Sequence, residues 1–246
     1  MIIPRILHQT WKSEELPPTF KKWVSTWKER HPSWQHILWT DEMNRKFIAT
    51  DFPWFLETYD AYETNIQRVD AARYFILYHY GGVYVDMDFA CLRNIEPLLE
   101  GETCVLGREH DEHCKTHKKS LIISNAFIAC APKHPFISML CNEAGTALPK
   151  TYSSNTRVLE STGPFMLTRV FEQFPEKKSL KVLHYSAMYP LTKSEAKKAL
   201  PVEEAPAEIK EKLKNAFAIH YYYGTWWRFR KKKVLSVFGI KFKNKK

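Results

Sequence analysis

GGVYVDMDF, residues 81–89, places two aspartates one residue apart at the end of a glycine-led apolar run. In an extended chain, strict alternation turns Val83, Val85 and Met87 to one side and Tyr84, Asp86 and Asp88 to the other. Carboxylates have no use on a buried strand unless something cationic satisfies them. The spacing therefore predicts a strand end where one cation can meet both. Upstream, residues 60–80 predict a long helix, with Asp60 and Glu63 as a capping box and Ile66, Val69, Ala72 and Ile76 as its buried stripe. Gly81 and Gly82 end that helix in the left-handed manner.

Working outward, IIPRILHQTW (2–11) predicts a first strand with a polar end. A helix follows over 19–32, buried through Phe20, Trp23 and Trp27 and stopped by Pro32. WQHILWTDE (34–42) predicts a second strand, and ETCVLG (102–107), SLIISNAFIACAP (120–132) and SLKVLHY (179–185) predict three more. Such strand–helix–strand units indicate an α/β layered domain. The charged, proline-interrupted stretch 192–215 is expected to be a surface helical excursion.

The chain has 246 residues and a net charge of +10. Of its 37 basic residues, nine lie in 226–246, which holds no acid, leaving 28 against 27 acidic residues elsewhere. A basic tail on a neutral body argues against a folded surface built to track nucleic acid. The tail interleaves its cations with large apolar side chains, which suits an anionic membrane surface; nucleic-acid binding could use the same composition, and packing against the body is the plain alternative. The apolar runs are too short to span a bilayer, and residues 1–10 lack the regions of a signal peptide. Cytoplasmic chemistry, peripheral to a membrane, is expected. The five cysteines form no CxxC pair, so free thiols in a reducing compartment are expected.

IPRILHQTWK (3–12), LWTDE (38–42), RVDAARYFILYHYGGVYVDMD (68–88), SNAFIACAPKHP (124–135), STGP (161–164) and HYYYGTW (220–226) occur in this order. This series resembles the family-32-type glycosyltransferases with a DXD sugar-binding region. They include yeast-type α-mannosyltransferases, inositol-phosphoceramide mannosyltransferases and the catalytic domains of clostridial glucosylating toxins. The resemblance covers about 1–226, and 227–246 is set apart as the basic-aromatic tail. It implies a GT-A fold, with a Rossmann-like nucleotide-binding half merged to an acceptor half. It also implies retaining transfer of a hexose, mannose first, from a nucleotide-diphosphate sugar (GDP-mannose or a UDP-hexose) to a glycan or glycolipid.

The same resemblance implies roles. Asp88 would be the direct ligand of Mn²⁺ or Mg²⁺, Asp86 a companion ligand reaching ribose or sugar, and His220 a third ligand. Asp70 and Arg73 would hold donor-sugar hydroxyls and the phosphate side; with Asp86 and Asp88 they make the catalytic set. His8, Trp11, Tyr84, Asn125, Thr225 and Trp226 would line the donor site, with Trp11 stacking on the base. A second consecutive histidine, frequent in the family, is here Tyr221.

Other readings compete. From spacing alone, Asp70 and Arg73 could equally be a surface ion pair. A D-x-D phosphatase would want Thr or Val where this chain has Ala90. A non-catalytic sugar- or membrane-binding shell is the remaining alternative. His110, His113, Cys114 and His117 would share one helix face, as zinc ligands can, but the lysines beside them oppose a dication. A solvated loop over the acceptor cleft is expected there.

Overall fold

The computed structural model describes residues 2–146 and 154–224. Six strands form the central sheet: β1 (Ile6–Thr10), β2 (Gln35–Trp39), β3 (Gly82–Val85), β5 (Cys104–Arg108), β6 (Ile123–Cys130) and β7 (Lys181–Leu183), in the order β2-β1-β3-β6-β5-β7. β1 runs parallel to β2 and β3, β5 runs parallel to β7, and β6 is antiparallel to both neighbours. A separate ribbon pairs β4 (Phe89–Cys91) with β8 (Ala218–His220), antiparallel.

The expected alternation is realised through Val85. Tyr84, Leu106, Ile128 and Cys130 enter one core, whereas Val83, Val85, Val105 and Ala129 enter the core on the opposite face. The first core is covered by helices α2 (Asp41–Asp51), α4 (Asn65–Tyr80), α7 (Pro135–Ala144) and α9 (Pro164–Gln173), all contributing buried side chains to it. Helix α1 (Pro18–Arg30) lies over the ribbon, where Trp27 Nε1 donates to the Phe89 carbonyl at 3.1 Å. Phe20, Trp23 and Trp27 are buried as expected. α1 ends at Arg30, just before the expected proline, with the His31 amide still bonded to Trp27.

Two expectations about the central helix change. Asp60 belongs to the short helix α3 (Leu56–Ala61) and pairs with Arg45 at 2.9 and 2.8 Å, because the chain breaks at Tyr62 before α4 begins. Gln67, not Glu63, supplies the cap by accepting the Thr64 amide at 3.2 Å. Nor is there a narrow stripe: residues 71–77 are all buried while Ile66 and Val69 are half-exposed, since neighbouring helices and the sheet enclose this helix. Gly81 does end it, at φ 63° and ψ −155°, a region only glycine occupies readily, rather than the left-handed helical one.

Residues 192–215 also differ from expectation. Ala196, Ala199, Ala205, Ile209 and Leu213 are buried and form a third core with Phe20, Trp23 and Met87. The stretch is charged outside and apolar inside. All five cysteines are free and buried. Among the described residues, no helix is long and apolar enough to cross a membrane. The tail 227–246, with Thr225 and Trp226, lies outside the described residues.

Candidate active site

β3 ends at Val85, and the chain turns immediately. The Asp86 amide makes the last ladder bond to Ala126, and the Phe89 amide returns to the Asp86 carbonyl at 3.2 Å. The two aspartates therefore meet across a tight turn, not along one strand face. The turn feeds β4, whose Phe89 is in register with His220 on β8. Ligand atoms of Asp86, Asp88 and His220 all lie within 4.8 Å of one another.

Each member of this trio is held differently. Asp88 Oδ1 faces His220 Nε2 at 3.1 Å, and Oδ2 accepts the Tyr223 amide at 2.8 Å. Burial pushes Asp88 up, but the His220 imidazole and that amide outweigh it and hold the carboxyl below its usual range. Burial likewise disfavours the His220 cation, yet Asp88 and the other nearby carboxylates raise its pKa. Phe89 stacks on the ring at 4.5 Å, and Nδ1 is buried with no hydrogen-bond partner. Asp86 shifts up, through burial and the repulsion of Asp88 against the attraction of Arg73.

Behind the turn, α4 presents Asp70 and Arg73, both buried. Arg73 Nη2 lies 2.6 Å from Asp70 Oδ1, and Nη1 lies 3.3 Å from Asp86 Oδ1 while donating to the Asn125 carbonyl at 2.6 Å. Its guanidinium also covers the Tyr84 ring at 4.4 Å. Asp70 accepts from Asn125 Nδ2 at 3.1 Å and from the Thr162 hydroxyl at 3.4 Å. Burial lifts Asp70 to about 7 in spite of Arg73, and the repulsion of the Asp86 carboxylate adds to the rise. Asn125 reaches this group because β6 bulges: Leu106 pairs with Ile128, but Gly107 pairs with Ser124.

Tyr84 completes the group by donating to Asp86 Oδ1 at 3.0 Å, with the Thr10 hydroxyl 2.8 Å from its own oxygen. Asp70 and Asp86 thus share one permanent cation, Arg73, and Asp88 has only His220. Such an excess of negative charge fits a divalent ion bound by Asp86, Asp88 and His220, the only such group among the described residues.

The donor-side expectations divide. Trp11, at the end of β1, is half-exposed with its ring edge-on to Phe20 at 4.7 Å, so it sits where a flat ligand could lie. His8 does not face the site. Its ring is fully buried, Nδ1 accepts from Trp39 Nε1 at 3.1 Å, and Nε2 therefore donates to the Gly81 carbonyl at 3.0 Å. Both nitrogens being committed, His8 fastens β1 to the start of β3.

Sequence reasoning did not find Thr10, which only pairing with β3 brings to Tyr84. It also missed Glu109, just after β5, whose Oε2 accepts from His113 Nδ1 at 2.9 Å. The zinc pattern around His113 dissolves into separate roles. His110 caps helix α6 (Asp111–Thr116) through the Glu112 amide, His117 packs edge-on against Phe165 at 5.1 Å, and Cys114 is buried in a small core.

Residues 17–105 match the profile of the glycosyltransferase sugar-binding region containing the DXD motif. This chain carries a DXD-type glycosyltransferase region. Inositol phosphoceramide mannosyltransferase 3 of Schizosaccharomyces pombe is 38% identical over 186 residues, covering 74% of this chain and 49% of that protein. A mannosyl phosphorylinositol ceramide synthase of Saccharomyces cerevisiae is 37% identical over 173 residues, 70% of this chain and 43% of that one. The chain thus spans about half the length of these relatives. Among solved structures, the PaToxG glycosyltransferase aligns over 87% of this chain and 84% of its own, with a TM-score of 0.51 and 17% identity. The fold is the GT-A glycosyltransferase fold, and the DXD of the region is Asp86-Met87-Asp88.

Proposed function

We propose that the protein is a metal-dependent, retaining hexosyltransferase that moves mannose from GDP-mannose to an inositol-bearing sphingolipid or related glycan. The observation that carries this reading is the Asp86–Asp88–His220 trio at the sheet rim, beside the buried Asp70–Arg73 pair. The names of the relatives favour mannose and an inositol phosphoceramide acceptor; UDP-hexoses are the alternative donors. When bound, Mn²⁺ or Mg²⁺ supplies positive charge beside the diphosphate.

The chain's own residues do the positioning. Trp11 would stack on the base. Asp70, Asn125 and Asp86 offer oxygen and amide groups to sugar and ribose hydroxyls. Arg73, fixed by Asp70, Asn125 and Tyr84, keeps Asp86 aimed at the turn. His8 supports this indirectly by holding β1 against β3. Thr225 and Trp226 are assigned to the donor cover as the resemblance implies. Substitution takes place on the face the nucleotide leaves: the departing phosphate oxygen takes the acceptor proton, so no separate protein base is needed.

The test is a panel of nucleotide sugars with Mn²⁺, scored for thermal stabilisation and release of free sugar. GDP-mannose should give the largest response. Asp88→Ala should abolish both responses while the circular dichroism spectrum stays native. Undiminished turnover in that variant would show that Asp88 holds no metal, and silence of the wild type toward every donor would favour a non-catalytic shell.

A further inference from the structure

Among the described residues, Glu109 is buried beside the active site with no Arg or Lys partner, and nothing in the donor-side assignment uses it. Its Oε2 accepts a hydrogen bond from His113 Nδ1 at 2.9 Å and another from the Tyr222 hydroxyl at 3.4 Å. Arg108, the cation next to it in sequence, turns instead to Asp111. A carboxylate this buried needs donors around it, and His113 and Tyr222 supply them.

The chemistry of the pair is directional. An ionised carboxylate only accepts, so His113 Nδ1 must be the donor, and in the neutral imidazole Nε2 then carries the lone pair. The His113 side chain is 23% exposed against 11% for Glu109, so the imidazole, not the carboxylate, meets the solvent. It lies edge-on to Tyr222 at 4.6 Å, and Tyr222 lies on the His220 ring at 4.1 Å. One aromatic ring thus separates His113 from the Asp86–Asp88–His220 trio. The pair comes from the β5 side of the sheet, whereas Asp70 and Arg73 come from α4.

We propose that Glu109, His113 and Tyr222 form the subsite for the acceptor, which binds a hydroxyl of a polyol ring at His113 Nε2. This rests on the transferase reading above and adds to it where the acceptor sits and what holds it. Glu109 is a positioning residue: it fixes the tautomer and the ring angle. Tyr222, at φ 48°, is held in the left-handed region by flanking bonds from Tyr221 and Tyr223 to Asp88, so the same strap borders both subsites.

The experiment uses the full chain with Mn²⁺ and GDP-mannose, and measures how product divides between free mannose and mannosides of added myo-inositol or methyl α-mannoside. His113→Ala should raise the KM for the polyol and lower the transfer-to-hydrolysis ratio by about tenfold, the worth of one hydrogen bond. His113→Gln, whose amide oxygen can accept the same hydroxyl, should recover most of that ratio, and Glu109→Gln should fall between. A ratio unchanged in His113→Ala, because both products fall together or neither falls, overturns the proposal. So does a wild type that hydrolyses the donor but transfers to neither polyol. A wild type that does not hydrolyse any donor sinks the transferase reading itself, and this subsite with it.

Discussion

Arg73 is the residue on which the site's geometry turns. Its guanidinium touches Asp70, Asp86, the Asn125 carbonyl and the Tyr84 ring in the interior. Removing one partner of a buried ion cluster leaves uncompensated charge and costs about 3–5 kcal/mol. Arg73→Leu should therefore lose that much stability in urea unfolding, whereas Arg45→Leu, which breaks an exposed pair with Asp60, should lose under about 1 kcal/mol. The sequence alone did not separate a buried Asp70–Arg73 pair from a surface one. An i,i+3 acid–base pair has the same spacing in water and in a core, and only the enclosure of α4 decides. The convergence of Asp86, Asp88 and His220 was legible because motif order carried it. The inward turn of His8 was not, since it depends on Trp39 and the Gly81 carbonyl, 31 and 73 positions away.

The elements were legible where period and punctuation agreed, as at β1, α1 and β3. The pattern failed where polarity alternates in a turn as it does in a strand: Met87 and Asp88 continue the two-residue rhythm after the ladder has ended at Asp86. The bulge that aims Asn125 left no mark in composition either. Glycine marks the junction better. Gly82 has φ 91°, and a β-carbon there would sit 2.6 Å from the Ile6 carbonyl, whereas Gly101 at φ 75° has open space around it. Gly82→Ala should cost about 1–3 kcal/mol for the backbone strain and further for the clash. Gly101→Ala should cost about 1 kcal/mol, for conformation alone. Thermal denaturation of the two variants separates these terms, and equal shifts would show that the β1–β3 approach is not tight.

Across the molecule, buried ionisable groups make stability depend on pH in opposing ways. His8 titrates at about 4 in the fold because burial outweighs its bond to Gly81, against 6.5 in an exposed chain. Below 6.5 the unfolded chain takes up a proton that the fold refuses, so His8 makes stability fall as pH drops from 6.5 to 4. Asp70, raised to about 7 by burial, acts the other way: its contribution is greatest in acid and is lost as pH rises through 7. The stability advantage of the wild type over His8→Asn should thus shrink by about 3 kcal/mol between about pH 7 and pH 4, measured by urea unfolding. A constant difference would mean that His8 is not buried as a neutral ring.

Asp88, in the turn that opens β4, and His220, on β8, face each other across 132 positions of chain, and the two short strands exist only as a pair. On the ribosome, the carboxylates are made long before their histidine, and the trio cannot assemble until β8 emerges. Any fragment cut before Ala218 would retain most of the sheet yet lack the closing ligand. Assembly of the trio is thus a late event in the molecule's biosynthesis, and prematurely terminated copies would lack it.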